Sequence, residues 1–496
     1  MSQPNHLPGP TSVHYFTLGL IILLVFSGCQ PAPDPTRPSG TSSPTANQTG
    51  TALPTNRTAT PTSKISGRPR STLDLHDTLG FEAAELRNTS VEFWHAWNGK
   101  AGDAVDELIT QFNETNEWGI EVTGSRVGSY DELGDQMEAA LQEKDLPDLV
   151  AAYTYQAQNW APAEDLLVDL NTYLDLPQWG LDPEEQADFY PAFWEQDVIR
   201  DRRIGIPAQR SGVVLYYNQS WAKELGFESP PDTPQEFREQ ACAAAQANRI
   251  DEDPANDQRG GWIISSDYPA VLGWLHAEGS QIIQPEGKGY RFNTTEVKDA
   301  FSFLHQIYKD GCAWFAEDHP VEDEFAQRLG LFASGSIAEI PYQLAAFRRA
   351  GNRDRWTAIS FPSDQGEAAI SVYGPSYLLV KSTPQEQLAA WLFSRWLASP
   401  INQAKMVEAT STFPLRTSTL DYLREFRPPL SSQWQSAVDL LPAARSEPNY
   451  PSWNEVRWVV SDAATQLFRW YFTIDQLPAS IKLLDRTAAE LHKRYP

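Results

Sequence analysis

Apolar and polar positions alternate along the chain in two rhythms. Residues 91–97 (VEFWHAW) start with apolar–polar alternation, the period of a half-buried strand, before Asn98-Gly99 turns the chain. Over 101–114 the period changes, and Val105, Leu108, Ile109 and Phe112 fall on one helical face. A short strand at 120–122 and an amphipathic helix at 130–144, through Leu133, Met137, Ala140 and Leu141, repeat the alternation. Residues 146–150 (LPDLV) lead into another buried strand. Strand–helix alternation of this kind predicts an α/β sheet with helices on its faces. Ligands in such sheets sit at the carboxyl ends of the strands, which here carry His95, Trp97 and Asn98, then Tyr153, Tyr155 and Gln156.

The stretch 204–221 (IGIPAQRSGVVLYYNQSW) organises the rest. Two β-branched and aromatic runs flank the polar corner Gln209-Arg210-Ser211-Gly212, and Asn218-Gln219-Ser220 offers a helix cap beyond. The pattern predicts a strand through Tyr217 that crosses between two lobes, with a solute bound at the corner. The second lobe then begins near Asn218. It takes in a helix over 236–247, a strand at 262–264, a segment 268–279 bearing Trp274, and a helix over 296–309 ended by Asp310-Gly311. Residues 332–341 (FASGSIAEIP) read as a loop and return crossing, which lets Gly335-Ser336, Tyr342 and Gln343 face the ligand. Residues 359–362 and 369–373 continue the first lobe. Tyr373 and Gly374 stand at a further passage, where a glycine permits close backbone approach. Helices over 391–399 and 456–471 are assigned to the second lobe.

Length supports this division, because 496 residues exceed one ordinary core. The formal charge of −26 excludes a nucleic-acid partner, which needs clustered Lys and Arg, and disfavours a polyanionic ligand. Seventeen Trp, eighteen Tyr and twenty-two Phe suit stacking on the apolar faces of sugar rings. Residues 16–26 (FTLGLIILLVF) form an apolar run too short to span a bilayer comfortably, as in a signal peptide. The small residues before Cys29 resemble a lipobox, so the expectation is a signal peptide over 1–28 and lipidation at Cys29. Residues 30–70 are almost wholly Pro, Ser, Thr, Gly, Ala and Asn, and a flexible tether over 29–88 is expected. The predicted protein is extracytoplasmic and anchored to the cell membrane.

The sequence shows no GxSxG, P-loop, GxGxxG after a strand, or Cys-x-x-Cys, and no second His at a metal-ligand spacing from His95. A binder is therefore expected rather than an enzyme, with no metal and no cofactor.

Seven ordered motifs carry a resemblance: FWHAWNG (93–99), GSYDEL (128–133), PDLVAAY (147–153), SGVVLYYNQSW (211–221), FASGSIAEI (332–340), YGPSYLLV (373–380) and TSTFPLR (410–416). Together they resemble the family 1 extracellular solute-binding proteins of ATP-driven (ABC) importers, in the glycerol-3-phosphate/sugar-binding branch, over about 91–496. The resemblance implies a two-lobe, type II periplasmic-binding-protein-like α/β fold with crossing strands as hinges. The expected lobes are 89–217 with 338–372, and 218–337 with 373–496. It also implies that Tyr130, Ser211, Gly374 and Arg457 touch ligand, and that the Trp-bearing segment 268–279 faces the cleft. Thr154 and Thr412 stand where the glycerol-3-phosphate branch has glutamate and tyrosine, so a neutral mono- or oligosaccharide is expected. Glycerol-3-phosphate or its diesters is the alternative, and a secreted carbohydrate-active hydrolase the alternative from another class.

Stacking is expected from Trp97, Tyr130, Trp262 and Trp274, and hydrogen bonding from His95, Arg210, Ser211 and Arg457, whose guanidinium opens a helix as a bidentate clamp. Cys242 and Cys312 fall in one predicted lobe of an extracytoplasmic protein and are expected to pair. The predicted partners are a carbohydrate and a membrane permease, and the chain itself is expected to be a monomer.

Overall fold

A computed structural model describes residues 83–160, 166–316, 320–365, 368–428 and 430–495. The signal segment, Cys29 and residues 29–82 of the expected tether lie outside the described residues. Residues 83–88 do not, and they belong to the folded body: Ala83–Leu86 form a 3-10 turn with Leu86 fully buried, and the Asn88 N–H donates to the Gly119 carbonyl at 2.9 Å.

The chain opens with β1 (Ser90–His95), α1 (Gly99–Thr115), β2 (Glu121–Arg126), α2 (Tyr130–Glu143), β3 (Leu149–Ala152) and α3 (Thr154–Trp160). Helix α1 buries the predicted stripe of Val105, Leu108, Ile109 and Phe112. At the start of α2, Ser129 accepts from the Glu132 N–H while the Glu132 side chain returns to the Ser129 N–H, a capping box that fixes where Tyr130 emerges. Strand β1 pairs in parallel with β2 and with β3. After a long irregular stretch, β4 (Ile206–Pro207) reaches the far edge of the same sheet.

The next strand, β5 (Ser211–Asn218), is buried along its whole length and belongs to a different sheet. Further on come α4 (Pro234–Ile250), β6 (Trp262–Ile263), α5 (Tyr268–Ala277), α6 (Thr295–Lys309), β7 (Ala313–Trp314), β8 (Phe332–Ser336), α7 (Ile340–Arg349), β9 (Trp356–Ile359) and β10 (Ile370–Tyr373). Strand β5 is the spine of this second sheet and pairs antiparallel with β8, β9 and β10. Its core is aromatic: Phe237 lies 4.3 Å from Phe332 and 5.1 Å from Trp274, ring centre to ring centre. Cys242 and Cys312 are disulfide-bonded, as expected, joining α4 to the turn before β7.

Strand β11 (Ser376–Leu379) returns to the first sheet, antiparallel to both β3 and β4. Helices α8 (Pro384–Leu397) and α9 (Pro400–Thr410) cover that sheet, with Phe393 of α8 5.7 Å from Phe93 and 4.9 Å from Phe112. Strand β12 (Ala444–Ser446) then joins the second sheet beside β10, and α10 (Trp453–Leu467) and α11 (Leu477–Arg494) close that lobe.

The lobes expected at 89–217 with 338–372, and 218–337 with 373–496, therefore need correcting. Strands β9 and β10 hydrogen-bond to β5 and belong to the second lobe. Helix α8, containing 391–397, packs on the first. Residues 332–341 make no crossing, because β8 is a strand within the second sheet and α7 follows in the same lobe. The crossings are the corner before Ser211, the Gly374-Pro375 step, and the passage into β12. A short apolar strand looks the same in sequence whichever sheet it joins, and only its partner separates the two.

The crossings bind one another at the waist. The N–H groups of Ala208 and Gln209 both donate to the Pro375 carbonyl, at 3.1 and 3.2 Å, and the Phe413 N–H donates to the Arg210 carbonyl at 2.9 Å. Gly374 has φ +153°, and a Cβ there would meet the Gln209 carbonyl oxygen at 2.2 Å. The close approach this glycine permits is to the other crossing strand.

Candidate functional site

Three strand ends meet at the base of the cleft between the sheets. Ser211 begins β5, Ser336 ends β8 and Tyr373 ends β10, opposite Ser211 in the register. The Ser211 and Ser336 hydroxyls lie 2.7 Å apart beside the Tyr373 phenol, whose pKa burial holds above its ordinary value while the two hydroxyls oppose that shift. The base is thus a neutral hydroxyl network.

The first lobe contributes three tyrosines. Tyr130 stands at the start of α2, Tyr153 just beyond β3 and Tyr155 in the first turn of α3. Tyr130 meets Tyr153 edge to face at 4.9 Å, and Tyr153 lies 5.2 Å from Tyr155. Burial raises the pKa of all three phenols, so they are neutral at physiological pH.

The second lobe presents Arg457 from the first turns of α10. Its guanidinium donates to the Tyr155 hydroxyl across the cleft and lies over the rings of Trp458 (4.9 Å), Tyr155 (5.1 Å) and Tyr268 (5.8 Å). No carboxylate among the described residues forms an ion pair with it. Glu447 stands close behind, buried, accepting from the Trp453 indole N–H at 2.9 Å through one carboxylate oxygen, while the other oxygen has no partner among the described residues. Burial pushes its carboxyl up to about 7, opposed by the Trp453 bond and by the charges of Arg457 and Arg210. Gln158 and Asn159 of α3 donate to the Asn449 and Pro451 carbonyls at 2.6 and 2.8 Å, tying the lobes together beside the site.

Next to the hydroxyl base, a cavity of about 430 Å³ opens into the second lobe at the carboxyl ends of β6 and β8, with Ser336 and Tyr373 in its wall. Its size suits a small organic ligand. Aromatic rings, hydroxyls and one guanidinium meet where the two α/β lobes face each other, and groups of these kinds can hold a small polar solute.

The sequence profile of the bacterial extracellular solute-binding proteins matches residues 107–442. The chain belongs to this family. Among its relatives, the sn-glycerol-3-phosphate-binding periplasmic protein UgpB of Salmonella typhimurium is 23% identical over 363 residues, covering 71% of this chain and 80% of that protein. The structure is also similar to the sugar-binding protein MalE from Xanthomonas citri (TM-score 0.70, 20% identity, 82% of this chain and 98% of that one). A third likeness is to UgpB from Mycobacterium tuberculosis, solved with glycerophosphocholine (TM-score 0.64, 19% identity, 82% and 99%). The two-lobe fold of such proteins is the fold found here.

Several residues expected at the ligand of this solute-binding protein are engaged elsewhere. His95 is fully buried between Phe93 and Trp97, 5.2 and 5.4 Å away, and desolvation lowers its pKa to about 4. Trp97 is buried too; its ring packs on Phe93 and Tyr377, and its N–H donates to Gln209 at 2.6 Å. It fastens the first crossing to β1. Arg210 has no exposed surface and pairs with buried Asp197 at 3.2 Å, while also bonding Ser376 and the Pro375 carbonyl. Trp262 and Trp274 lie inside the second lobe, 5.6 Å apart, each packed on Phe237, so neither forms a stacking platform. Tyr342 projects into solvent and Gln343 turns into the cavity. Tyr130, Tyr153, Tyr155, Ser211, Tyr373 and Arg457 are brought together.

Sequence reasoning missed Tyr268 and Glu447. Tyr268 lay in a segment read for its tryptophan. Glu447 heads EPNYPSW (447–453), where a lone carboxylate among aromatics and prolines was the available signal.

Proposed function

We propose that this solute-binding protein captures a carbohydrate in the cleft and delivers it to the membrane permease of an ATP-driven importer. The observation that carries the reading is the line of three neutral tyrosines ending on Arg457, together with the Ser211–Ser336 hydroxyl pair beside Tyr373 at the ends of the second-lobe strands. Rings cover the apolar faces of a sugar, and the hydroxyls and guanidinium select its oxygen pattern, because an unmatched buried polar group is costly. The crossings at the waist act as hinges for closure of the lobes. Cys29 carries the lipid anchor, and the Pro/Ser/Thr-rich stretch after it serves as a tether that ends before the folded turn at Ala83–Leu86. A thermal-shift screen of mono- and oligosaccharides with glycerol-3-phosphate and its diesters tests the reading. It expects stabilisation by at least one saccharide without turnover, and fails if none stabilises the protein. Loss of membrane attachment in Cys29→Ser tests the anchor.

Arg457 supports glycerol-3-phosphate or a diester as a second reading, since a guanidinium with no ion pair suits a phosphate. Thr412, at one of the two departures from that branch, is buried, with its hydroxyl 2.8 Å from that of Thr410.

A further inference from the structure

The 430 Å³ cavity beside the hydroxyl base differs chemically from the cleft above it. Asp267, Glu322 and Glu339 line it, and no Lys, Arg or His does among the described residues. Burial raises the pKa of Glu339, and the charges of Glu322 and Asp267 raise it further, so Glu339 feels both neighbouring carboxylates. They are not grouped to hold a metal ion. A separate observation comes from Gln343, which is 1% exposed and lines the same cavity. Its Nε2 donates to the Glu322 carbonyl at 2.9 Å, which fixes the amide orientation, and its Oε1 has no partner. A buried acceptor left open costs free energy unless a ligand donor fills it.

Such a wall asks for a positively charged group with several N–H donors. We propose that the cavity is the subsite for a protonated primary amine on the bound saccharide, so that the ligand is an amino sugar, or an oligomer of one, in free-amine form. The inference rests on the carbohydrate reading above. The ammonium donates to Gln343 Oε1 and is neutralised by Glu322 and Asp267, while Tyr373 and Ser336 join its ring to the cleft. N-acetylation removes the charge and leaves one N–H donor of the three, with a bulky acetyl group in place of the others. A quaternary ammonium keeps the charge but has no N–H for Gln343.

Isothermal titration calorimetry of the full chain provides the test, with glucosamine disaccharide, its N-acetylated form, maltose and glycerophosphocholine as probes. The free-amine sugar is expected to bind about tenfold or more tighter than the N-acetylated one, as charge-assisted bonds imply. That ratio should shrink with added salt in the unaltered protein, and again in Glu322→Gln and Asp267→Asn. Glu339 is left intact because it caps its own helix at the Ser336 N–H. Equal binding of the N-acetylated sugar or maltose overturns the amine subsite and leaves the carbohydrate reading standing. Binding of glycerophosphocholine alone, or of no saccharide, overturns both.

Discussion

Arg210 and Arg457 look alike in sequence, each in a polar stretch next to a buried element, but they occupy opposite kinds of place. Arg210 sits at the waist, where Asp197, Ser376 and the Gln209 and Pro375 carbonyls take up its terminal nitrogens. Burial pushes the Asp197 carboxyl up and the Arg210 guanidinium down, and each partner's charge resists the other's shift. Arg457 is only half-buried and faces phenols and ring faces, with no ion pair among the described residues. A charge held in a buried ion pair fastens the crossings together, whereas one that touches only phenols and rings, with the Glu447 carboxyl behind it and no direct ion pair, remains available to a ligand.

The largest expected effect tests the waist. Arg210→Met should cost about 3–5 kcal/mol of stability, because Asp197 is left as an unpaired buried charge. Restoration of much of that loss in the Arg210→Met, Asp197→Leu double variant, read by urea unfolding, would identify the pair as the cause. If Arg210→Met left stability unchanged and abolished binding, the contrast between the two arginines would collapse.

Glu447 gives the next effect. Its folded-state pKa of about 7 exceeds the ordinary 4.5, so between these values the native state holds a proton that the unfolded chain has released. Stability from this group is fully present below the unfolded value and lost as pH rises through about 7, by roughly 3 kcal/mol. Melting curves at pH 5 and pH 8 should show the decline, and Glu447→Gln should flatten it.

Arg457→Ala should weaken ligand binding about tenfold to a hundredfold while moving stability by no more than about 1 kcal/mol. Calorimetry with any ligand found in the screen, paired with urea unfolding, reads both quantities. The smallest effect belongs to Tyr342, which projects into solvent despite being expected at the ligand. Tyr342→Ala should leave affinity unchanged and stability within about 0.5 kcal/mol.

Periodicity revealed the helices well, since each amphipathic stripe buries the residues that define it, as α1 does with Val105, Leu108, Ile109 and Phe112. It revealed the site unevenly. Tyr130, Tyr153 and Tyr155 were legible because they follow strand ends or open helices, positions that geometry sends to the cleft. Trp262 and Trp274 were misread because an aromatic residue on a buried element serves core and site with the same side chain. His95 was misread because the strand end before it is itself covered by Phe93 and Trp97.

By itself, the sequence determined the alternation of strand and helix, the polar corner before Ser211, the Cys242–Cys312 pairing and the family. These depend on local period, turn chemistry and ordered motifs, all written along one dimension. Tertiary structure alone decided which sheet β9, β10 and β11 join, which arginine is neutralised by a carboxylate, and which carboxylates line the cavity with Gln343. Those outcomes depend on neighbours far apart in the chain, such as Asp197 with Ser376 or Tyr155 with Arg457, and on the water removed when they meet.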